Sequence, residues 1–400
     1  MSWRRVKIKD VCIGIYDGPH ATPPPSESGA IFLGISNFNN GQLDLSNIRY
    51  IAESDLPKWT KRVVPMHKDI VFSYEATLNL YAIIPEGFRG CLGRRMALLR
   101  IDEEKAYYKF LYYYFYSDAW RAVIQENTVL GATVDRIPLV KFPNFEIELP
   151  SAKTQHQIAD ILSAYDDLIE NNRRQIKLLE EAAQRLYKEW FVDLRFPGYE
   201  DAAVVDGVPE GWSKDSVDSR IELLSGYAFK SSEFCDDGKY KVVTIKNVKD
   251  GQFDGDNVSR MIEIPNKMPM HCKLADGDIL LSLTGNVGRV CMVHGEDYLL
   301  NQRVAKLKSD TPAYAYCLFR SKDMFDEMNN LANGAAQQNL SPIRTGKIQI
   351  LFPTNNLVQE FEIIVQPLIN KITVLNKEIL ALMQTRDRLL PKLMSGELEV

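Results

Sequence analysis

The chain lacks any run of about 20 apolar residues, the length a helix needs to cross a bilayer, so nothing in it is expected to span a membrane. No apolar stretch of the secretory kind follows the opening Met1-Ser2-Trp3-Arg4-Arg5-Val6-Lys7. Cysteine is scarce: Cys12, Cys91, Cys235, Cys272, Cys291 and Cys317 have no paired spacing, which argues against a disulfide scaffold and for reduced core thiols in a cytoplasmic protein. The histidines His20, His67, His156, His271 and His294 stand apart, and His271-Cys272 has no second ligand pair at zinc spacing. Gly238-Lys239 and Gly346-Lys347 are followed by Tyr240 and Ile348 and lack the earlier glycine of a phosphate-binding loop, so no nucleotide-driven motor is expected. Glu103-Glu104-Lys105 offers only a Glu-x-Lys fragment of a nuclease site and reads as an ordinary charged patch. The Asn/Asp-Pro-Pro-aromatic motif of an amino-methyltransferase is missing, and Thr22-Pro23-Pro24-Pro25 reads as a rigid loop. These absences leave a non-catalytic recognition device, with no metal or cofactor of its own.

A basic domain is missing too. The net charge of −5 divides into +1, −1, −4 and −1 over residues 1–150, 151–195, 196–354 and 355–400. A nucleic-acid reader of this composition must arrange its charge locally or take it from a partner. Apolar content of 45% and charged content of 25% are ordinary for a globular chain. Its 400 residues exceed what one core holds, so two or more domains are expected.

What the chain does contain is a second version of itself. Trp3 recurs as Trp212, and Asp69-Ile70-Val71-Phe72-Ser73 as Asp278-Ile279-Leu280-Leu281-Ser282. Arg95 and Ala97 recur as Arg303 and Ala305, Gly131-Ala132 as Gly334-Ala335, and Pro150 as Pro353. A repeat at half the chain length is duplication of a whole domain with its spacer, and implies a pseudo-twofold plan. Strand-like runs at 31–35, 70–73, 81–84, 96–100 and 145–149 are matched by runs at 240–245, 279–283, 289–293, 304–307 and 348–352. Helical stretches at 107–116 with 119–124, and at 313–331, complete an α+β unit in each copy. The aromatic cluster from Tyr107 to Tyr116 sits at helical spacing and reads as core, not as a base-stacking platform.

Each copy ends in a rod. Thr154 and Gln157 form a plausible capping box. The first stripe then runs Ile158, Leu162, Tyr165, Ile169, Asn172, Ile176, Leu179, Ala183, Leu186 and Trp190, a heptad seam stopped by Phe196-Pro197-Gly198. The second runs Val358, Phe361, Val365, Leu368, Ile372, Leu375, Ile379, Leu382, Arg386, Leu389 and Leu393, with Gly396 as its stop. Pro367 marks a kink or a late start. Asn172 and Arg386 interrupt apolar seams, either as helix-end or partner-facing positions or as register pins. Two amphipathic rods in one chain pair most economically with each other. The expected plan is therefore two mixed α/β domains, 1–150 and 197–353, separated by helical spacers, 151–196 and 354–400, in an antiparallel coiled coil.

The junctions carry a resemblance. Leu149-Pro150, Gln157 to Leu162, Asp166 to Asn172, and Leu186-Tyr187-Lys188-Glu189-Trp190-Phe191 resemble the central conserved helix of the specificity subunits of type I restriction–modification systems. Val208-Pro209-Glu210-Gly211-Trp212 resembles the start of that family's second recognition domain. Gly277 to Ser282, Thr284-Gly285-Asn286-Val287-Gly288 and Asn301-Gln302 resemble its body, and Arg388 to Glu397 its C-terminus. The similarity spans essentially the whole chain. It implies two target-recognition domains that each read half of a split site on double-stranded DNA, with the spacers setting the gap. It also implies two S-adenosylmethionine-dependent modification subunits and, for cleavage, restriction subunits using ATP and Mg²⁺. Roughly 40 helical residues at about 1.5 Å each give about 60 Å, nearly two turns of B-DNA. The first unit departs from the second, with Glu75-Ala76-Thr77-Leu78-Asn79 for Thr284-Gly285-Asn286 and Gly93-Arg94 for Asn301-Gln302. Family positions therefore transfer better to the second unit.

Reading bases requires Arg for guanine and Asn or Gln for adenine, with Lys, Ser and Thr on phosphates. In the first unit the candidates are His20, Thr22, Asn37, Tyr74, Arg94, Arg95, Thr133 and Arg136. In the second they are Lys230, Lys246, Asn247, Thr284, Asn286, Arg289, Gln302, Gln337, Gln338 and Asn339. Any one of these equally suits a solvated loop or a hydrogen bond within the fold. Two rival readings are a coiled-coil scaffold whose globular units bind proteins, which the balanced charge suits, and an orphan nuclease. Modification and restriction genes beside this one, and no cutting of DNA with Mg²⁺, would separate them.

Overall fold

The computed structural model describes residues 3–131, 134–256, 258–332 and 339–400. It divides into two units, Met1–Leu168 with Leu382–Val400, and Ile169–Ala381. Each contains one globular part and a stretch of both long helices.

The two globular parts repeat one sheet plan. In the first, an antiparallel sheet has the order Cys12–Asp17, Met96–Ile101, Ile70–Ser73, Tyr81–Ile83. A second sheet has the order Arg49–Ile51, Ala30–Leu33, Gly90–Leu92, with the last pair parallel. The second globular part gives Glu222–Ser225, Val304–Lys308, Ile279–Ser282, Val290–Met292, and then Ser259–Met261, Tyr240–Val243, Tyr298–Leu300, again with the last pair parallel. Each is closed by a strand pair joining its ends, Arg4–Lys7 with Glu146–Leu149 and Ser213–Ser216 with Gln349–Phe352.

The period of two in a strand explains why the central strands are apolar throughout. Ile70, Phe72, Ala97 and Leu99 face the helices, whereas Val71, Met96 and Leu98 face the second sheet. Ile279, Leu281, Ala305 and Leu307 divide from Leu280 and Val304 in the same way. These runs were readable in the sequence. Strands Cys12–Asp17, Arg49–Ile51, Gly90–Leu92, Glu222–Ser225, Ser259–Met261 and Tyr298–Leu300 were not, being short or half-exposed edges without a sustained apolar run.

The helices differ from the expected plan at their ends. The stretch 313–331 is two helices, Pro312–Phe319 and Lys322–Ala332, because Ser321 intervenes and its Oγ accepts from Met324 N at 3.3 Å. Ser117 does the same before Asp118–Asn127, following Tyr108–Tyr114. The aromatic run Tyr108, Phe110, Leu111, Tyr112, Tyr113 and Tyr114 is buried core. The first long helix, Ala152–Tyr187, starts before the expected capping box: Ser151, freed by Pro150 from any preceding helix, caps it by accepting from Thr154 N at 3.2 Å. It ends before Phe196-Pro197-Gly198, in a π-turn at Lys188–Val192, and Leu194 then takes φ +58°. The second long helix, Asn355–Met394, is unbroken across Pro367. The carbonyl that proline leaves unpaired belongs to Ile363, which is 73% exposed and open to water. Gly396, at φ +73°, follows its end.

Within each unit the two long helices run antiparallel. In the first, Ile158, Ala159 and Leu162 share a core with Leu393 and Met394, and Leu389 packs at its edge. In the second, Ala183 and Tyr187 share one with Phe361, Val365, Ile369 and Ile372, with Ile176, Leu179 and Leu186 at its edge. Ile169, Leu375 and Ile379 are buried and Leu382 is half-buried. Leu368 is a correction: it is half-buried, and Ile369 holds the buried place because the seam steps by four after Val365. Both polar interruptions bond across the seam. Asn172 Nδ2 donates to Glu378 Oε2 at 3.2 Å, and Arg386 Nη1 to Asp166 Oδ1 at 2.5 Å. The other Asp166 oxygen accepts from Tyr113 Oη at 2.5 Å. Burial lowers the Arg386 pKa, but the carboxylates of Asp166 and Asp387 outweigh it, so the guanidinium stays charged.

Asn37 and Asn247 are corrections to the candidate DNA contacts. Asn37 Oδ1 accepts from Gly34 N at 2.8 Å, and its Nδ2 donates to Asp44 O at 3.0 Å. Asn247 Oδ1 accepts from Thr244 N at 2.8 Å, and its Nδ2 donates to Asp254 O at 2.8 Å. Both are buried, and each pins the same turn of its unit from inside. Asn247→Ala is expected to lose about 1–3 kcal/mol in urea unfolding by leaving buried amide and carbonyl groups unpaired. Arg386→Met, which strands Asp166, is expected to lose about 3–5 kcal/mol, and adding Asp166→Asn should restore part of it.

Candidate nucleic-acid interface

The antiparallel order of each four-stranded sheet brings alternate strand ends to one edge. In the first unit, Cys12–Asp17 and Ile70–Ser73 end there, and Tyr81–Ile83 and Met96–Ile101 begin there. The residues that leave or enter these strands, Gly18–Thr22, Tyr74–Asn79 and Arg94–Arg95, form a rim. The second unit builds the same rim from Gly226–Lys230, Leu283–Gly288 and Gln302–Arg303. The hydrogen bonds that knit the rims match pair by pair. Gly18 N donates to Met96 O at 2.8 Å and Gly226 N to Val304 O at 3.2 Å. Tyr74 N donates to Arg95 O at 3.1 Å and Leu283 N to Arg303 O at 3.0 Å. Ile137 N donates to Tyr74 O and Leu340 N to Leu283 O, both at 2.7 Å, and the bridge of Glu75 with Arg136 has its counterpart in Thr284 with Asn339.

This correspondence resolves the departure seen in the sequence. Gly285 and Gly288 have φ of +71° and +78°, and their equivalents Ala76 and Asn79 have +70° and +62°. The loop keeps its left-handed turns without glycine, and for Ala76 that conformation costs about 1–2 kcal/mol. Positions therefore transfer to the first unit by backbone even where side chains differ.

Most of the described candidates collect at these rims. His20, Thr22, Arg94 and Arg136 are exposed in the first unit, and Arg95 is half-buried with Nε 3.1 Å from Glu75 Oε1. Lys230, Asn286, Gln302 and Asn339 are exposed in the second. Lys246 is exposed next to Ile245, whose Cδ1 would lie 3.2 Å from a Cβ on Gly285. Thr284 joins the rim through its backbone, while its Oγ1 is buried without a hydrogen-bond partner among the described residues. Arg289 is half-buried just before its strand, where its charge opposes, without cancelling, the rise that burial imposes on the Asp250 carboxyl. Thr133, Gln337 and Gln338 lie outside the described residues.

Tyr74 is a further correction. It is only 6% exposed, and its hydroxyl donates to Asp17 Oδ1 at 3.0 Å, so it braces the rim and is not free to reach a base. Asp17 is the residue that sequence reasoning missed. Its carboxylate also accepts from His20 Nε2 at 2.9 Å and Arg62 Nη1 at 3.2 Å. These partners lie 57, 3 and 45 positions away, and no sequence spacing announces them. Among the described residues no group of acids, histidines and cysteines could hold a metal ion, the cysteines are free, and no helix is long and apolar enough to cross a membrane.

The type I restriction modification DNA specificity domain matches residues 2–181 and again residues 209–384. The specificity subunit of the type I restriction enzyme MjaIX from Methanocaldococcus jannaschii is 26% identical over 379 residues, covering 89% of this chain and 85% of that one. The MjaVIII specificity subunit of the same organism is 27% identical over 362 residues, covering 88% and 84%. In fold, the crystal structure of a type I restriction–modification S subunit from M. genitalium is similar at a TM-score of 0.58 and 18% identity, over 98% of this chain and 96% of that one. Two matches of one domain, falling on the two halves whose sheets and rims repeat, place the chain in the type I restriction–modification specificity family, with two target-recognition domains.

Proposed function

We propose that this chain is the non-catalytic DNA-reading subunit of a type I restriction–modification enzyme, and that each rim reads one half of a bipartite site. The observation that carries this is the duplication of the rim itself: two sheet edges with matching hydrogen bonds but different exposed side chains. Such edges suit two unlike sequences. Arg94 and Arg136 suit guanine O6 and N7 in the first half-site, and Asn286, Gln302 and Asn339 suit adenine N6 and N7 in the second. The antiparallel helices set the gap between half-sites and dock two modification subunits, which supply S-adenosylmethionine chemistry. Restriction subunits that use ATP and Mg²⁺ join for cleavage. Those partners also supply positive charge that residues 196–354, at net −4, lack.

In the complex with modification subunits, Gln302→Ala with Asn339→Ala is expected to weaken cognate binding at least tenfold, each lost base contact contributing about 1–3 kcal/mol. Binding to unrelated duplex should stay nearly unchanged, and an unaltered cognate affinity would remove these residues from the readout. Deleting one heptad from each long helix shortens the pair by about 10 Å, or roughly three base pairs at about 3.4 Å. Mapping of methylated bases should then show a shorter gap or no modification, and the original gap would contradict the spacer role.

A further inference from the structure

A cavity of about 380 Å³ opens beside the first rim, between Gly18 and His20 on one side and Lys58, Trp59 and Lys61 on the other. Asp17 is the one carboxylate in its wall, and it is already held by Tyr74, His20 and Arg62. Arg62 also donates to Gly18 O at 2.8 Å, which fastens the segment to the strand end. Lys58 and Lys61 are exposed, and neither has an ion-pair partner among the described residues. Lys58 Nζ stands 5.6 Å from the centre of the Trp59 ring, and Trp59 Nε1 is buried with no hydrogen-bond partner among the described residues. The pocket thus neutralises its own acid and leaves the exposed ammonium groups of Lys58 and Lys61 without an ion-pair partner among the described residues. That is the profile of an anion site: two exposed cations beside an acid that is already paired.

The repeat separates what the fold needs from what it does not. Position 62 corresponds to His271, whose Nε2 lies 2.9 Å from Ser225 O, one residue before the Gly226 that matches Gly18, so the second unit also ties this segment to its strand end. Trp59 and Lys61 correspond to Met268 and Met270, and Met270 is 82% exposed. The same offset sets Lys267 opposite Lys58, so a lysine stands there in both units, and the cation at position 61 is particular to the first.

We propose that this pocket binds one backbone phosphate of the DNA strand that flanks the first half-site, with Lys58 and Lys61 as its cationic donors. The proposal rests on the reading that the rim faces DNA. It adds a sequence-independent clamp that sets the duplex's position on the first domain.

The test uses the complex with modification subunits, binding a cognate duplex and a scrambled one over a range of salt concentrations. In Lys58→Gln with Lys61→Gln, the slope of log K against log salt is expected to fall by about 0.9, the value for one phosphate contact. Cognate and scrambled affinities should drop by the same factor, leaving base preference intact. Lys58→Arg with Lys61→Arg should keep the slope, as should the charge-loss control Lys322→Gln in the other domain. An unchanged slope in the double Gln variant, while the unaltered complex still prefers its cognate duplex, overturns the pocket. So does a loss confined to the cognate duplex. An unaltered complex without any preference overturns the reading of the rim on which the pocket depends.

Discussion

Each target-recognition domain is tied to a long helix by a buried polar fastening, and its orientation rests on that tie. The helices Tyr108–Tyr114 and Pro312–Phe319 begin inside the protein, where their first amide groups find no water. In the first unit Gln155, one turn into its long helix, reaches back, and its Oε1 accepts from Tyr107 N at 2.8 Å. In the second, Glu362 does the same with both oxygens, accepting from Ala313 N at 2.9 Å and Tyr314 N at 3.0 Å. Burial raises the Glu362 carboxyl above its usual range, and the two amide donors pull it partly back. A buried acceptor that leaves such a helix end unpaired costs about 1–3 kcal/mol per group, so rotation of the domain about its helix is resisted by chemistry as well as by packing.

A second tie lies further along. Asp166 takes Tyr113 from the domain and Arg386 from the opposite helix, and Glu180 takes Tyr316 and Arg320. Arg320 reaches on to Asp250, at the hairpin turn that lies against Val290, whose strand starts at the rim. Tyr112 makes the equivalent reach, donating to Gly41 O at 2.7 Å. The residues differ and the route is the same. A carboxylate on the first long helix is linked through the adjoining domain helix to the hairpin behind the rim. Positioning at the rim is thereby continuous with positioning at the helix, which the proposed reading of base edges would require.

How much of this could be read from the sequence follows from where each signal resides. Buried central strands and amphipathic helices announce themselves by period, so Ile70–Ser73, Ile279–Ser282 and the two seams were readable. Duplication was readable because the core repeats at nearly constant offsets. Residues whose meaning depends on direction were not. Asn37 and Asn247 belong to the residue type that reads adenine, yet they turn inward to hold a loop, and composition cannot tell an inward amide from an outward one. The equivalence of Ala76 and Asn79 with two glycines was hidden, since the backbone conformation survived after its usual residue was lost. Ser151 displaced Thr154 as helix cap because both residues satisfy the same rule and only the chain path chooses between them.

The function proposed above has an acidic chain reading an acidic polymer, and the charge pattern suits it. At physiological salt, exposed charges more than about 8 Å apart are largely screened, so the net −5 matters less than what stands at the rims. There, acids are consumed by neighbours: Asp17 by three donors and Glu75 by Arg95. Pairing an acid locally removes its repulsion of phosphate without adding a net positive field that would hold any duplex indiscriminately. A strongly basic domain would bind all DNA tightly and bury its preference beneath that affinity, because phosphate contacts carry no sequence. Under the function proposed above, an edge whose acids are already paired, on a chain without a basic domain, would leave the base contacts as the deciding fraction of the binding energy.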